Sequence, residues 1–226
     1  GSSSHTLIGG IIGAVMVSAG WEAIKLPGLT KVLVALFIFP LIGFASGFIF
    51  TRLIYFLAQH ATPRINDFFK RSQLVTAIIL GLSHGTNDAQ KSMGIIVLGL
   101  VISGRLQSFE VPLWVTVASA ASMAIGTSLA GWKIIRTLGG KFYKIRPLHS
   151  FATQLTSGIV ILSASFFGAP VSTSHVVSSA IIGVGASERL SKVRWSVAGD
   201  ILTAWLITIP VSAAFAAGFY WLLTSL

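Results

Sequence analysis

Uncharged apolar runs alternate with short polar segments along the whole chain, and their lengths define the elements. Residues 32–51, 112–132 and 201–226 each hold no Asp, Glu, Lys or Arg. About 20 apolar residues carry a helix across the hydrocarbon of a bilayer, so each run predicts one crossing helix. Pro40 and Pro210 place kinks in two of them. Two further runs do not fit a single crossing. Residues 150–187 are uncharged throughout, too long for one crossing at about 1.5 Å per residue, and are interrupted by Gly168-Ala169-Pro170 and Val171-Ser172-Thr173-Ser174-His175. Two half-length helices meeting at a polar tip, a re-entrant hairpin, is the economical reading. Residues 74–103 are apolar at both ends but hold Ser83-His84-Gly85-Thr86-Asn87-Asp88 and Lys91 at the centre. That pattern predicts a broken helix with ionisable groups at mid-membrane depth.

Composition agrees with this reading. Of 226 residues, 54% are hydrophobic and 10% charged, and the mean hydropathy is +0.84. Soluble domains carry roughly 25% charged residues. A disordered chain, a soluble enzyme and a disulfide-stapled domain are excluded, the last because there is no cysteine. The net charge of +10 is a loop bias rather than a nucleic-acid footprint, and no nucleic-acid partner is expected.

The opening of the chain recurs near its end. At a constant offset of 170, Ser2, Ser4, His5, Ile11, Ile12, Gly13, Leu36 and Pro40 match Ser172, Ser174, His175, Ile181, Ile182, Gly183, Leu206 and Pro210. Threading the predicted spans puts Arg64, Lys70, Arg71, Lys133, Arg136, Lys141, Lys144, Arg146, Arg189, Lys192 and Arg194 on one side, against Lys25, Lys31 and Arg105 on the other. The positive-inside rule makes the first side cytoplasmic and leaves the C-terminus outside. The two SxSH segments then enter the membrane from opposite faces. Inverted repeats with discontinuous helices are the architecture of secondary transporters. The expected fold is therefore all-α, a polytopic membrane protein with inverted repeats, re-entrant helical hairpins and a broken helix. Residues 1–57 form the end of a first repeat, 58–72 a basic cytoplasmic loop, and 73–226 the second repeat, with its last span at 196–226. Loops 132–149 and 188–195 share the cytoplasmic side.

The polar breaks carry the chemistry. Ser172, Thr173 and Ser174 precede an apolar helical run, at the N-cap, where unpaired N–H groups and the helix dipole favour an anion. Ser2, Ser3 and Ser4 repeat the device. Two such helix starts facing each other suit a small tetrahedral oxyanion. Asp88, with the oxygens of Thr86 and Asn87 and the freedom of Gly85, suits a dehydrated Na⁺, for which Asp88 is the metal ligand, or a passing proton. The plainer alternative is a static pair with Lys91, at i and i+3 on one helix face. His5, His84 and His175 flank the breaks and read as hydrogen-bonding partners that modulate the site, as does Lys91. His60 and His149 read as solvated loop residues, and Asp200 as a helix cap.

At these residues the chain resembles the inorganic phosphate transporter family. Gly85-Thr86-Asn87-Asp88-Ala89-Gln90-Lys91 and its continuation look like the family's GxND signature, and residues 170–175 look like its paired hairpin signature. The resemblance implies a symporter of the inner or plasma membrane that moves inorganic phosphate inward with Na⁺ or H⁺. It implies that Asn87 and the hairpin Ser and Thr residues contact phosphate and that Asp88 meets the cation. Gln90 and Lys91 depart from the NDxANA form of sodium-coupled members, which tilts the reading toward protons. The family carries two GxND segments and this chain only the second. It is therefore expected to be the latter, N-terminally truncated part of a longer protein, and residues 1–226 alone are not expected to transport. No cofactor is expected beyond the co-transported ion. The expected partners are phosphate and the lipid bilayer, with a homodimer left open. A sulfate permease and an anion channel remain the alternatives. An enzyme is not expected, and the sequence holds no HExxH.

Overall fold

The computed structural model describes residues 2–140 and 145–225, apart from the side chains of residues 130, 133–140 and 192. All regular structure among the described residues is helical. The helices are α1 (Ser3–Ala19), α2 (Leu26–Leu57), α3 (Ile65–Ile102), α4 (Leu113–Gly140), α5 (Pro147–Phe166), α6 (Thr173–Glu188) and α7 (Trp195–Ser225), with 3₁₀ turns at Trp21–Ala23 and Leu190–Lys192. Both α2 and α7 are long and apolar enough to cross a membrane. Pro40 and Pro210 sit inside them without ending them. No residue of α7 is buried, and Leu202, Leu206, Phe215, Phe219 and Trp221 face outward. At about 25 cal/mol per Å² such a surface is costly in water and costs nothing against lipid.

Two helices joined by a turn occupy the uncharged run 150–187. Helix α5 closes at Phe166 and α6 opens at Thr173, with Gly168 turning the chain at φ 65°. A left-handed φ of this kind favours glycine, and Pro170 cannot continue a helix. The helices are longer than half a crossing, however. The 20 residues of α5 make about 30 Å and the 16 of α6 about 24 Å.

Helix α3 corrects a second expectation. The break predicted within 74–103 is absent, and one helix of 38 residues runs from Ile65 to Ile102. Its polar side chains bond back onto the helix or outward to the hairpin tip, so the backbone ladder stays whole. Ser83 Oγ, for example, donates to Ile79 O at 2.6 Å, one turn earlier. The basic loop is accordingly shorter than 58–72, because Lys70 and Arg71 lie on the first turns of α3. Helix α4 likewise extends through the start of the expected loop 132–149, to Gly140. Lys133, Arg136, Lys141, Lys144 and Lys192 fall outside the described residues or side chains.

The most extensive packing is of α2 on α6, α1 on α7 and α3 on α5, and α5 also packs on α6 and α2, with α4 joined to α3. Glycines allow the first two contacts. A Cβ on Gly47 would stand 2.6 Å from Ala180 O, and one on Gly183 would press into the Phe44 carbonyl. Gly13 meets the Ala213 carbonyl in the same way. Close backbone approach through small residues is how helices associate where no hydrophobic effect drives them together. Gly13 and Gly183 are the pair matched in the sequence repeat. The order of helix, 3₁₀ turn and long proline-containing helix also recurs, from α1 to α2 and from α6 to α7.

At the base of the hairpin, Tyr55 Oη lies 3.1 Å from His149 Nε2, and Glu188 stands 3.6 Å from His149 and 3.8 Å from Arg146. Phe69 and Phe151 pack at 5.4 Å between ring centres. The end of α2, the starts of α3 and α5 and the end of α6 thus share one end of the bundle. Two expectations change here. His149 is 1% exposed rather than solvated, because Pro147 starts α5 two residues earlier and turns the imidazole inward. Asp200 is the sixth residue of α7, beyond its first turn, so it does not cap that helix.

Candidate functional site

The two matched helix starts meet tip to tip. Ser2 Oγ and Ser172 Oγ are 2.8 Å apart, both buried. Ser2 caps α1 by accepting from His5 N at 3.3 Å and also contacts His5 Nδ1 at 3.0 Å. Ser172 occupies the equivalent position on α6 in an extended backbone conformation, but its hydroxyl turns to Ser2 and to Ser174 Oγ at 3.2 Å instead of capping. The first-turn N–H groups of α6 therefore lack its oxygen as acceptor. Behind the serines, the His5 and His175 rings stand 4.4 Å apart, and His175 stacks on Trp205 at 3.7 Å. Both imidazoles are buried, and His5 Nε2 and both His175 nitrogens have no hydrogen-bond partner in the protein. Buried polar atoms are normally satisfied, so these three nitrogens are exceptions.

The middle of α3 lies against this tip. His84, Asn87, Asp88 and Lys91 are spaced i, i+3, i+4 and i+7, which puts them on one helix face. Lys91 Nζ donates to Asp88 Oδ1 at 2.6 Å and to Val171 O at 2.9 Å. Asn87 Nδ2 donates to both of those oxygens at 3.2 Å. Ser4 Oγ donates to Val171 O at 3.0 Å. Thr173 Oγ1 reaches Asp88 Oδ2 at 3.4 Å and His84 Nδ1 at 3.0 Å. Ser165 Oγ, from the end of α5, donates to Asn87 Oδ1 at 3.3 Å. The static pair of Asp88 with Lys91 is thus present, and it is tied directly to the hairpin tip.

Of the residues singled out from sequence, Ser2, Ser4, His5, His84, Asn87, Asp88, Lys91, Ser172, Thr173, Ser174 and His175 come together. Two do not. Ser3 is exposed, pointing away from the paired tips. Thr86 lies two residues before Asp88, on another face of an unbroken helix. It lines a cavity of about 740 Å³ between α3 and α4, together with Gln90 and Met123. His84 borders both that cavity and the tip. Sequence reasoning missed Val171, whose contribution is a main-chain carbonyl, and Ser165 and Trp205, whose roles depend on which helices pack together.

An all-helical membrane protein with a buried polar site between helix starts is the class that this geometry defines. The chain belongs to the phosphate transporter family, whose pattern it matches over residues 1–216. It is 43% identical over 224 residues to a probable low-affinity inorganic phosphate transporter of Bacillus subtilis, covering 98% of this chain and 67% of that protein. A protein of the same description in Rhizobium meliloti is 42% identical, with 96% of this chain and 65% of the relative covered. Among solved structures, the sodium-dependent phosphate transporter shares the fold with a TM-score of 0.91 at 21% identity, covering all of this chain and 74% of that one. The chain thus spans about two thirds of the length of the Bacillus and Rhizobium relatives.

Proposed function

We propose that the chain is the larger part of a secondary transporter that takes up inorganic phosphate by symport with a cation. The observation that carries this reading is the meeting of two helix starts at Ser2 and Ser172, backed by buried imidazole nitrogens without partners. Binding parts the two hydroxyls and lets both donate, with the first-turn N–H groups, to one oxyanion. Asp88 supplies the charge through which the cation is coupled to the tip. The recurring helix order supports an inverted repeat, each copy presenting its helix start from an opposite face. The shared base of α2, α3, α5 and α6 supports a re-entrant hairpin opening on the basic, cytoplasmic side of the cell membrane, with the C-terminus outside.

The substrate reading has its own physical argument. Phosphate near neutral pH carries at least one O–H, whereas sulfate carries none. Beside its donors the site holds acceptor nitrogens on the buried His5 and His175 rings, which have no partner in the protein. A site built to accept a substrate hydroxyl rejects the analogue that lacks it. In vesicles containing the full-length protein, uptake of labelled phosphate should fall with added unlabelled phosphate and withstand about a tenfold excess of sulfate. Displacement by sulfate at equal concentration contradicts the assignment.

A further inference from the structure

The oxygens around Asp88 form the kind of set that holds a hard cation: a carboxylate from α3 and a main-chain carbonyl from the hairpin tip converging on one point. A nitrogen of this chain already stands at that point. Lys91 Nζ bridges Asp88 Oδ1 at 2.6 Å and Val171 O at 2.9 Å, and so ties α3 to the tip as a bound ion would. The remaining acceptors are also met by donors. Asn87 Nδ2 serves Asp88 Oδ1 and Val171 O, and Thr173 Oγ1 serves Asp88 Oδ2. Charge agrees with geometry. The two side chains are 12% and 17% exposed and together neutral, so an additional Na⁺ would bring an uncompensated positive charge into a poorly solvated site.

Resting on the transporter reading above, we propose that Lys91 is a tethered cation. Its ammonium occupies the position in which a co-transported Na⁺ would sit. The hairpin tip is thereby locked to α3 without Na⁺, and Na⁺ neither binds at Asp88 nor drives this protein. Removing the ammonium opens the position and leaves Asp88 in need of a soluble cation. The Lys91→Ala variant therefore gains the Na⁺ response that the native protein lacks.

The experiment compares thermal unfolding of the purified full-length protein in NaCl and in choline chloride, without phosphate, for wild type, Lys91→Ala and Lys91→Arg. The midpoint of Lys91→Ala should rise by about 5 °C in NaCl, the order of shift that a ligand at about 100 times its Kd gives. Wild type and Lys91→Arg, which keep the tethered charge, should not respond. A wild-type response to Na⁺ overturns the proposal. So does a Lys91→Ala protein indifferent to Na⁺, or one that cannot be recovered folded even in NaCl. A separate arm adds inorganic phosphate to wild type: absence of stabilisation there counts against the phosphate reading and leaves the Na⁺ comparison standing. Loss of phosphate stabilisation in Lys91→Ala irrespective of Na⁺ makes Lys91 an anion ligand and also overturns the proposal.

Discussion

Replacing Asp88 with asparagine abolishes cation-driven phosphate accumulation in the full-length protein while the chain still inserts and folds. The amide has nearly the shape of the carboxylate, so the contacts of Oδ1 and Oδ2 with Lys91, Asn87 and Thr173 are weakened rather than displaced. What disappears is the one formal negative charge in the cluster. The Lys91 ammonium keeps the Val171 carbonyl and a neutral amide oxygen but no counter-charge. Breaking a buried ion pair from one side costs about 3–5 kcal/mol, because the surviving charge stays desolvated. Lys91 relieves part of that by withdrawing its flexible stem from the tip, so the loss falls on the link between α3 and the hairpin rather than on folding. At about 1.4 kcal/mol per factor of ten, even 3 kcal/mol of this link lowers gradient-driven uptake by about 100-fold. Uptake per molecule of inserted protein, measured with and without the cation gradient, checks this. Wild-type accumulation with unchanged cation dependence removes Asp88 from the mechanism.

The second large effect is structural. Gly183→Ala unfolds the seat of the hairpin, whereas Gly126→Ala does not. A Cβ on Gly183 meets the Phe44 carbonyl, with the carbonyl carbon at 2.9 Å and Phe44 Cα at 3.1 Å. All three contacts are backbone atoms of α2, so no side chain can rotate out of the way. Helix α6 must move off α2 and carry Ser172, Thr173 and Ser174 with it. Overpacking of this kind costs about 3 kcal/mol, and more where backbones collide. A Cβ on Gly126 meets nothing within 4 Å, and alanine there gains the usual helix preference of about 1 kcal/mol. Thermal midpoints of the two purified variants separate the cases. Equal stability contradicts the close approach of α2 and α6.

Much of this arrangement was legible in the chain itself. Ser2, His5, Ser172 and His175 share one register, and the structure brings their side chains together. Asp88 and Lys91 stand out as charges inside an apolar run. Gly168 and Pro170 mark the turn between α5 and α6. The continuity of α3 was hidden because hydropathy treats any polar stretch inside an apolar run as an interruption. The spacing of His84, Asn87, Asp88 and Lys91 is helical, however, and read as a face rather than a segment it predicts an unbroken helix. The same oversight drew in Thr86, a neighbour of Asp88 in sequence but not on that face. The Val171 carbonyl leaves no trace in sequence, since every residue has one, and only the tip geometry selects it. His149 was misread from its basic neighbours, although Pro147 two residues earlier signals a helix start that can turn it inward.

The central claim is that two facing helix starts form one phosphate site. Equilibrium binding of labelled phosphate to the purified full-length protein tests it most directly, comparing wild type with the double variant Ser2→Ala/Ser172→Ala. Each lost hydroxyl removes one donor worth about 1 kcal/mol, or more when the partner is charged, so affinity should fall about 10-fold to 100-fold. Unchanged phosphate affinity in the folded double variant contradicts the account.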